Sequence, residues 1–421
     1  MSSRAINRHP VRRALWVTAG TIVILVVGLY GPATLAGPLP GSHADVTLPS
    51  GGAGASAPVL PTTGASAIAT TPGQADAPQL VSTAGSAEAV PLAGAAKAIT
   101  ALVVLDAKPL SAGRSGPLIT MTDADLALYA AHVRAGDMAV VVSPGEAWTE
   151  RQMLEAMLLG SSNNHADSLA RWAFGSIDGY LAAARAWVTR HGLTHTHVAD
   201  ASGLSPDDTG TAADAARIAA LAFGNAAIAD IIAHPPTTLV NDRVLTNATP
   251  FHPELGLTGL SRSYTDYAGV CLLFAASERV AGKPFTYYGA ILGQPDYPTL
   301  TKAVKTLTTD AATSVREITL VRAGDRFARV TSAAGTRVAA VADDSVMTLG
   351  WGAAKPQYRV RVEAPATAGK GRVVGSVVAS VPGVRESVPL VLAEALPDPG
   401  LGWRLSHPVP VIGAFWQKLF G

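Results

Sequence analysis

Residues 91–102 read PLAGAAKAITAL and begin a long apolar stretch inside the chain. Lys97 is the single charged residue between Glu88 and Asp106. From residue 95 to residue 105 apolar side chains would cover every side of a helix, so no polar face remains for solvent. The sequence therefore predicts a buried helix at 95–105 with Lys97 in its first turn.

A second helix is marked by its start signal. Thr149 followed by Gln152 is a capping-box pattern, and apolar residues recur behind it at helical spacing. This helix should end where the chain turns polar, in the SSNN run at 161–164. A later cap at Thr211, with Asp214 three residues on, marks another helix. The predicted helices of this region span 150–160, 179–191 and 212–223.

The pattern changes to strands after about residue 315. Apolar and charged residues alternate in YRVRVE at 358–363, which is typical of a strand with one buried face. Residues 373–381 and 384–392 predict a hairpin that turns at Pro382-Gly383, and Pro389 predicts that its second strand lies at a sheet edge. Two short strands are also predicted at 65–69 and 79–82.

These patterns divide the chain after residue 58 into two domains. The sequence predicts an α/β (α+β) domain at 59–308 and a small all-β domain at 315–397. A tail at 398–421 is rich in tryptophan and phenylalanine, with two prolines among them. The tail is too short and too interrupted to cross a membrane, so we expect it to pack on the β domain or to lie at the membrane interface.

The N-terminal region predicts where the protein is located. Residues 14–36 carry no charge, and as a helix they would span about 34 Å, enough to cross a bilayer. Four arginines precede them, so residues 1–13 should be a cytoplasmic tail of a single-pass cell membrane protein whose bulk is extracytoplasmic. A cleaved signal peptide is the alternative, although the stretch exceeds the roughly 7–15 apolar residues expected of one. The Gly- and Pro-rich residues 37–58 predict a flexible linker.

Composition excludes several classes of function. The chain has 421 residues, and 32 Lys and Arg oppose 31 Asp and Glu, so no basic field exists to hold a nucleic acid. The single cysteine, Cys271, excludes a disulfide framework and is expected in the core. His195 and His197 form a His-x-His without a third ligand nearby, so we expect no metal and no cofactor.

Three segments together resemble one family. Residues 91–102 resemble the first motif region of the serine D-Ala-D-Ala carboxypeptidases, the low-molecular-weight penicillin-binding proteins, whose pattern there is Ser-x-x-Lys. Residues 157–164 (MLLGSSNN) resemble the second motif, Ser-x-Asn, and residues 259–272 the third-motif strand with its Lys-Thr-Gly. ASGL at 201–204 and TAAD at 211–214 are similar to further landmarks in the same order. The resemblance covers roughly 60–300 and implies a penicillin-binding/β-lactamase-like transpeptidase domain.

The resemblance also assigns roles to particular positions. Lys97, Ser161 and Asn163 match catalytic positions of the first two motifs. In the family the lysine amine takes a proton from a serine on the same helix face, three residues earlier. The Lys-Thr-Gly of the third motif, which binds substrate, is replaced here by the residues Ser261, Arg262 and Ser263.

The chain departs from the family pattern at the nucleophile position and in the third motif. Gly94 stands at the nucleophile position, and none of the eight lysines has a serine three residues before it. Losing the nucleophile of such a site costs about 10⁶ in rate. Ser261 removes the positive charge that the family uses for the substrate carboxylate. In a strand, Arg262 would point to the face opposite Ser261 and Ser263, so we do not expect it to replace that charge.

The sequence therefore predicts a catalytically inactive D-Ala-D-Ala carboxypeptidase homologue at peptidoglycan, which binds stem peptides or scaffolds a partner protein. Two alternatives stay open. One is an active serine-type carboxypeptidase with an unusual nucleophile, for which Ser161 is the candidate retained in the motifs. The other is a purely structural envelope protein whose old cleft is filled.

Overall fold

The structure is a computed structural model that describes residues 9–49, 58–71, 78–351, 356–381 and 384–420. Its helices, in chain order, are α1 (His9–Leu25), α2 (Gly31–Ala36), α3 (Ala96–Ala107), α4 (Asp123–Ala135), α5 (Glu150–Leu158), α6 (Asn163–Phe174), α7 (Ile177–Arg190), α8 (Ala212–Gly224), α9 (Ala226–Ala233), α10 (Tyr297–Ser314), α11 (Gly400–Ser406) and α12 (Pro408–Phe420). A π-helical turn joins α1 to α2, and a 3₁₀ turn, Ala93–Ala95, leads into α3.

The strands, in chain order, are β1 (His43–Val46), β2 (Ala65–Thr70), β3 (Gln79–Gly85), β4 (Val90–Pro91), β5 (Leu118–Thr120), β6 (Ala147–Thr149), β7 (Thr209–Gly210), β8 (Leu257–Thr265), β9 (Gly269–Val280), β10 (Lys283–Gln294), β11 (Val315–Val321), β12 (Arg326–Thr331), β13 (Arg337–Ala342), β14 (Val346–Trp351), β15 (Gln357–Val362), β16 (Val373–Val381) and β17 (Val384–Leu392). The short strands predicted at 65–69 and 79–82 are thus present as β2 and β3, which pair with each other.

An antiparallel five-stranded sheet in the order β3-β2-β10-β9-β8 organises the first domain. Side chains of β9 alternate between two cores: Cys271 and Leu273 pack among the helices on one side, and Leu272 and Phe274 pack against α10 on the other. Because both faces are covered, β9 is a continuous apolar run rather than an alternating one. Cys271 lies fully buried, as expected from the sequence.

Helix α3 occupies the centre of the helical layer. Every residue from Ala96 to Leu105 is buried, which confirms the helix predicted at 95–105. It contacts α5, α6, α7, α8 and β8, so this helix is covered by neighbouring elements around most of its circumference. The capping box of α5 is also confirmed: Thr149 Oγ1 accepts from the backbone N–H of Gln152, and the Gln152 side chain accepts from the backbone N–H of Thr149.

The second domain is built from strands. A six-stranded antiparallel sheet has the order β1-β12-β13-β17-β16-β15, and β11 pairs with β14 beside it. The alternation predicted in β15 is present, with every second residue exposed. The hairpin of β16 and β17 is also formed, while its turn at 382–383 lies outside the described residues. Helix α10 continues past the boundary predicted at 308 and ends where β11 begins.

Two predictions about this region are wrong. Pro389 does not place β17 at an edge, because β17 lies between β13 and β16. Pairing with β13 starts one residue later, at Leu390, so the missing N–H of Pro389 leaves that ladder intact. The predicted linker 37–58 contains strand β1, which pairs with β12, so this segment is not flexible along its whole length.

The two ends of the chain contact each other. The hydroxyl of Tyr30 donates to the backbone oxygen of Leu405 at 2.8 Å, and Arg404 donates to the oxygen of Gly37 at 2.7 Å. The tail thus forms two helices that pack on the N-terminal helical segment. Within the part of the chain that the structure describes, no single helix is both long and apolar enough to span a membrane, and one pair bent by 82°, α8 with α9, meets that test by length and composition.

Candidate functional site

The start of α3 is shaped by a close contact with the loop that contains the ASGL landmark. Ala93 has a positive φ of 49°, and its carbonyl oxygen points at Gly203. A Cβ on Gly203 would lie 1.9 Å from that oxygen, so only glycine fits at this position. The landmark therefore has a packing role: it lets the loop reach the first turn of the helix.

Lys97 extends from α3 toward this loop. The residue is 5% exposed, and Nζ donates to the backbone oxygen of Ser202 at 2.7 Å. Burial lowers the pKa of Lys97 to about 8, although the carboxylate of Asp200 opposes the shift. The ammonium form therefore still predominates at pH 7, with one of its protons donated to the loop.

Two aspartates fix the loop that receives Lys97. Burial works against the charge of Asp200, but its carboxylate accepts from the backbone N–H groups of Gly203, Ser205 and Ser202, which hold its pKa below the usual range. Asp208 is fully buried and accepts from the N–H of Ala199 at 2.7 Å. Burial and the neighbouring Asp200 raise the pKa of Asp208 to about 8. The pair thus holds one negative charge close to the ammonium.

The second motif lies only partly in the site. Ser161 follows α5 with a positive φ of 53° and lines a small cavity together with Lys97. Asn163 begins α6 and is 3% exposed, but it does not line that cavity, and its Oδ1 is buried without a hydrogen-bond partner among the described residues. Ser161 and Lys97 therefore line the same cavity, whereas Asn163 lies outside its lining.

The third motif forms the opposite wall on β8. A register shift between Gly259 and Ser261 places Ser261 and Arg262 on the cavity lining. The Arg262 guanidinium lies over the rings of Phe251 and Tyr297, at 5.7 and 5.5 Å, and donates to the Ala248 oxygen. The charge of Arg262 is therefore occupied by these groups. Its place on the cavity lining beside Ser261 differs from the expectation that the two residues lie on opposite faces of the strand.

Ser263 approaches the vacant nucleophile position directly. A Cβ built on Gly94 would lie 2.9 Å from the Cβ of Ser263 and 3.6 Å from Nζ of Lys97. The hydroxyl of Ser263 is buried and has no partner among the described residues. The cavity that remains between helix and strand has a volume of about 10 Å³, which is room for about one water molecule.

A second charged cluster lies behind the site. His132 bridges two carboxylates, with Nδ1 at 3.0 Å from Asp137 and Nε2 at 3.0 Å from Asp167. The hydrogen bond to Asp167 raises the pKa of His132, burial lowers it, and the bond to Asp137 raises it again, so the net shift is upward. Both carboxylates also favour the charged form of Lys97.

The groups that surround Lys97 lie outside the set of site residues predicted from the sequence. The carbonyl of Ser202, the carboxyls of Asp200 and Asp208 and the His132 cluster were not predicted as site residues. The ASGL landmark was the available signal for Ser202, because its glycine marks a close approach of two backbones. Nothing in the spacing of the aspartates predicts that they meet.

Two solved structures have the same overall fold. Penicillin binding protein 5 from Haemophilus influenzae superposes with a TM-score of 0.57 at 16% identity, covering 83% of this chain and 99% of that one. The peptidoglycan synthesis regulatory factor (PBP3) from Streptococcus pneumoniae superposes with a TM-score of 0.59 at 17% identity, covering 80% and 99%. The predicted α/β fold of the penicillin-binding proteins is thereby confirmed.

Sequence comparison gives the family. The D-alanyl-D-alanine carboxypeptidase DacB2 of Mycobacterium tuberculosis (strain ATCC 25618 / H37Rv) is 34% identical over 149 residues, which are 35% of this chain and 47% of that protein. The chain thus spans about half the length of this relative. The Peptidase S11 profile, described as D-alanyl-D-alanine carboxypeptidase, matches residues 68–282, just over half of the 421 residues. With the three motif segments in order on the matching fold, the chain belongs to the D-alanyl-D-alanine carboxypeptidase family.

Proposed function

We propose that this protein is a catalytically inactive member of its family that acts in the cell envelope at peptidoglycan. One observation carries the proposal: the helix position that faces Lys97 is Gly94, which offers no atom to attack a carbonyl. Removing the nucleophile from a serine acyl-transfer site costs about 10⁶ in rate, which is about 8 kcal/mol of transition-state stabilisation.

The surroundings of Lys97 support the same conclusion. Nζ of Lys97 donates to the Ser202 carbonyl in a buried environment, and because residue 94 is a glycine it has no hydroxyl proton to accept at that position. On the opposite wall, Ser261 supplies a hydroxyl where the family has a cation for the substrate carboxylate. Lys97 therefore lacks a hydroxyl to act on at residue 94, and residue 261 lacks the cation that would bind the substrate carboxylate.

The shape of the site favours a scaffolding role over stem-peptide capture. A cavity of about 10 Å³ is far smaller than the roughly 300–1,000 Å³ of a typical ligand pocket. A D-Ala-D-Ala terminus would enter only after β8 and α3 moved apart. We therefore place the contact with a partner protein outside this cavity, and stem-peptide binding is the competing outcome of the test below.

We also propose that the protein is held at the cell membrane by residues 14–36, with its domains outside the cytoplasm. The residues Leu15, Trp16 and Ile24 in α1 are 64%, 78% and 71% exposed, which is an unfavourable arrangement for a helix in water. The arginines that precede this stretch support a cytoplasmic N-terminus.

An active enzyme with an unusual nucleophile is the second candidate. Ser161 lines the cavity, and the hydroxyl of Ser263 lies 3.1 Å from the position that a Cβ at residue 94 would occupy. Against this candidate, Ser263 Oγ is buried and shows no hydrogen bond to Lys97.

Labelling with a fluorescent penicillin tests the proposal. We expect the full chain, purified in detergent, to form no covalent adduct by intact mass and to release no D-alanine from a stem pentapeptide, while an active carboxypeptidase treated in parallel does both. An adduct on Ser161 or Ser263 would establish the second candidate. Calorimetry with the same peptide then tests stem-peptide capture: saturable micromolar binding supports it, and absence of heat contradicts it and leaves a scaffolding or a purely structural role.

A further inference from the structure

Gly94 is not required by the backbone at its position. Its φ lies outside the left-handed region in which glycine is favoured, unlike that of the preceding Ala93. An alanine or serine could adopt the same conformation at no backbone cost. The constraint on a side chain at residue 94 therefore comes from the space around it and not from the backbone conformation.

The space around residue 94 is occupied by the side chain of Ser263 on β8. The ideal Cβ of residue 94 lies 2.9 Å from the Cβ of Ser263 and 3.1 Å from its Oγ. The first of these distances is shorter than two carbon atoms tolerate without displacement. The obstructing Cβ is bonded directly to the strand backbone, so no rotation about χ1 removes it.

Neither element can move aside easily. The first ten residues of α3 are all buried, and β8 pairs with β9 from Leu257 to Thr265, with Ser263 opposite Cys271. Interiors of this kind are close-packed, so an added carbon must displace helix or strand as a unit. The obstruction is therefore a property of the two packed elements.

We propose that Gly94 and Ser263 are a coupled pair, in which the side chain on β8 occupies the volume that a side chain at the start of α3 would need. Ser263 thus closes the site from the strand, and a nucleophile cannot be regained by a change at residue 94 alone. This inference rests on the proposed function, since it states how the inactive site is kept inactive.

Exchanging the two residues should restore a hydroxyl beside Lys97, and this is the chemical consequence of the coupling. In the double variant Gly94→Ser/Ser263→Gly the strand offers no Cβ, and the helix carries a hydroxyl one bond beyond a Cβ that lies 3.6 Å from Nζ of Lys97. When the amine is neutral it can take the hydroxyl proton as the oxygen bonds to a β-lactam carbonyl. The ring C–N bond then breaks, and the proton passes to the ring nitrogen.

A thermal-unfolding cycle on the full chain tests the coupling without relying on activity. Gly94→Ala alone should lower Tm by about 2–10 °C, because it overpacks the core. In the Ser263→Gly background the same change should lower Tm by less than about 2 °C, because the obstructing Cβ is gone. In the matched Ser263→Ala background, where that Cβ remains, the full decrease should persist.

The experiment remains informative if Gly94→Ala alone does not fold. In that case, a folded protein in Gly94→Ala/Ser263→Gly together with an unfolded one in Gly94→Ala/Ser263→Ala would support the coupling between residues 94 and 263. Equal decreases in all three backgrounds would refute the pair. That result would leave the proposed function intact, whereas penicillin labelling of the unaltered chain would refute the function and leave the unfolding cycle untouched.

Acylation tests the consequence for the site. We expect Gly94→Ser to release no D-alanine and to label with fluorescent penicillin no more than the unaltered chain. The double variant Gly94→Ser/Ser263→Gly should label at least ten-fold more than Gly94→Ser, with the adduct mapped to position 94. Equal labelling of the two variants, including none in either, would show that Ser263 does not close the site.

Discussion

The Nζ of Lys97 and the backbone oxygen of Ser202 are joined by a buried hydrogen bond of 2.7 Å. This contact connects the first turn of α3 to a loop more than a hundred residues further along the chain. It depends on Gly203, which lets the loop backbone reach Ala93. The Lys97 side chain is thus held by a backbone partner, and this contact needs no side chain at residue 94.

Gly203→Ala should destabilise the protein severely. Its Cβ would lie 1.9 Å from the Ala93 oxygen, in addition to the strain of a φ of +81°. Gly192→Ala is the matched control, because Gly192 has a φ of +66° and an added Cβ there would meet no atom within 4 Å. We expect the control to lose about 1 kcal/mol and Gly203→Ala to lose more than about 3 kcal/mol in urea unfolding. Equal losses would mean that backbone strain alone matters at Gly203.

His132→Gln should remove a pH dependence. The raised pKa of His132 means that its ion pairs with Asp137 and Asp167 stabilise the fold fully below the unfolded pKa of 6.5 and are lost as pH rises through the higher folded pKa. Glutamine keeps the hydrogen-bonding capacity but not the charge. The stability of the unaltered chain relative to this variant should therefore decrease as pH is raised above 6.5, measured by urea unfolding at several pH values. Parallel curves for the two proteins would contradict the assignment.

Asp208→Asn should stabilise the protein increasingly with pH. The folded pKa of about 8 exceeds the usual 3.8, so between these values the folded chain keeps a proton that the unfolded chain has released. The stability of the unaltered chain then falls with rising pH by up to about 1.4 kcal/mol per unit. Asparagine does not titrate, so its advantage should grow from pH 5 to pH 8. The change Asp207→Asn at the exposed neighbouring position serves as the matched control for removing a carboxylate from this loop.

The buried helix and the strand-rich second domain were predicted from local signals. A helix that is apolar on every side must be covered on every side, and α3 is. The capping box at Thr149 works within one turn, so it needs no tertiary information. Pro389 was misjudged because the rule for proline in a sheet depends on which neighbour pairs with which residue, and pairing with β13 begins only at Leu390. Strand β1 was missed for a related reason, since its partner β12 lies far along the chain.

What the sequence determined by itself is that no side chain stands three residues before Lys97: that residue is Gly94, and helical geometry alone places it on the same face as the lysine. Only the tertiary structure decided what fills the space left by that side chain and what holds the lysine. Ser263 reaches Gly94, and Ser202 reaches Lys97, through contacts between elements more than a hundred residues apart. Such contacts are set by how strand, helix and loop pack together, and no local spacing rule contains that information.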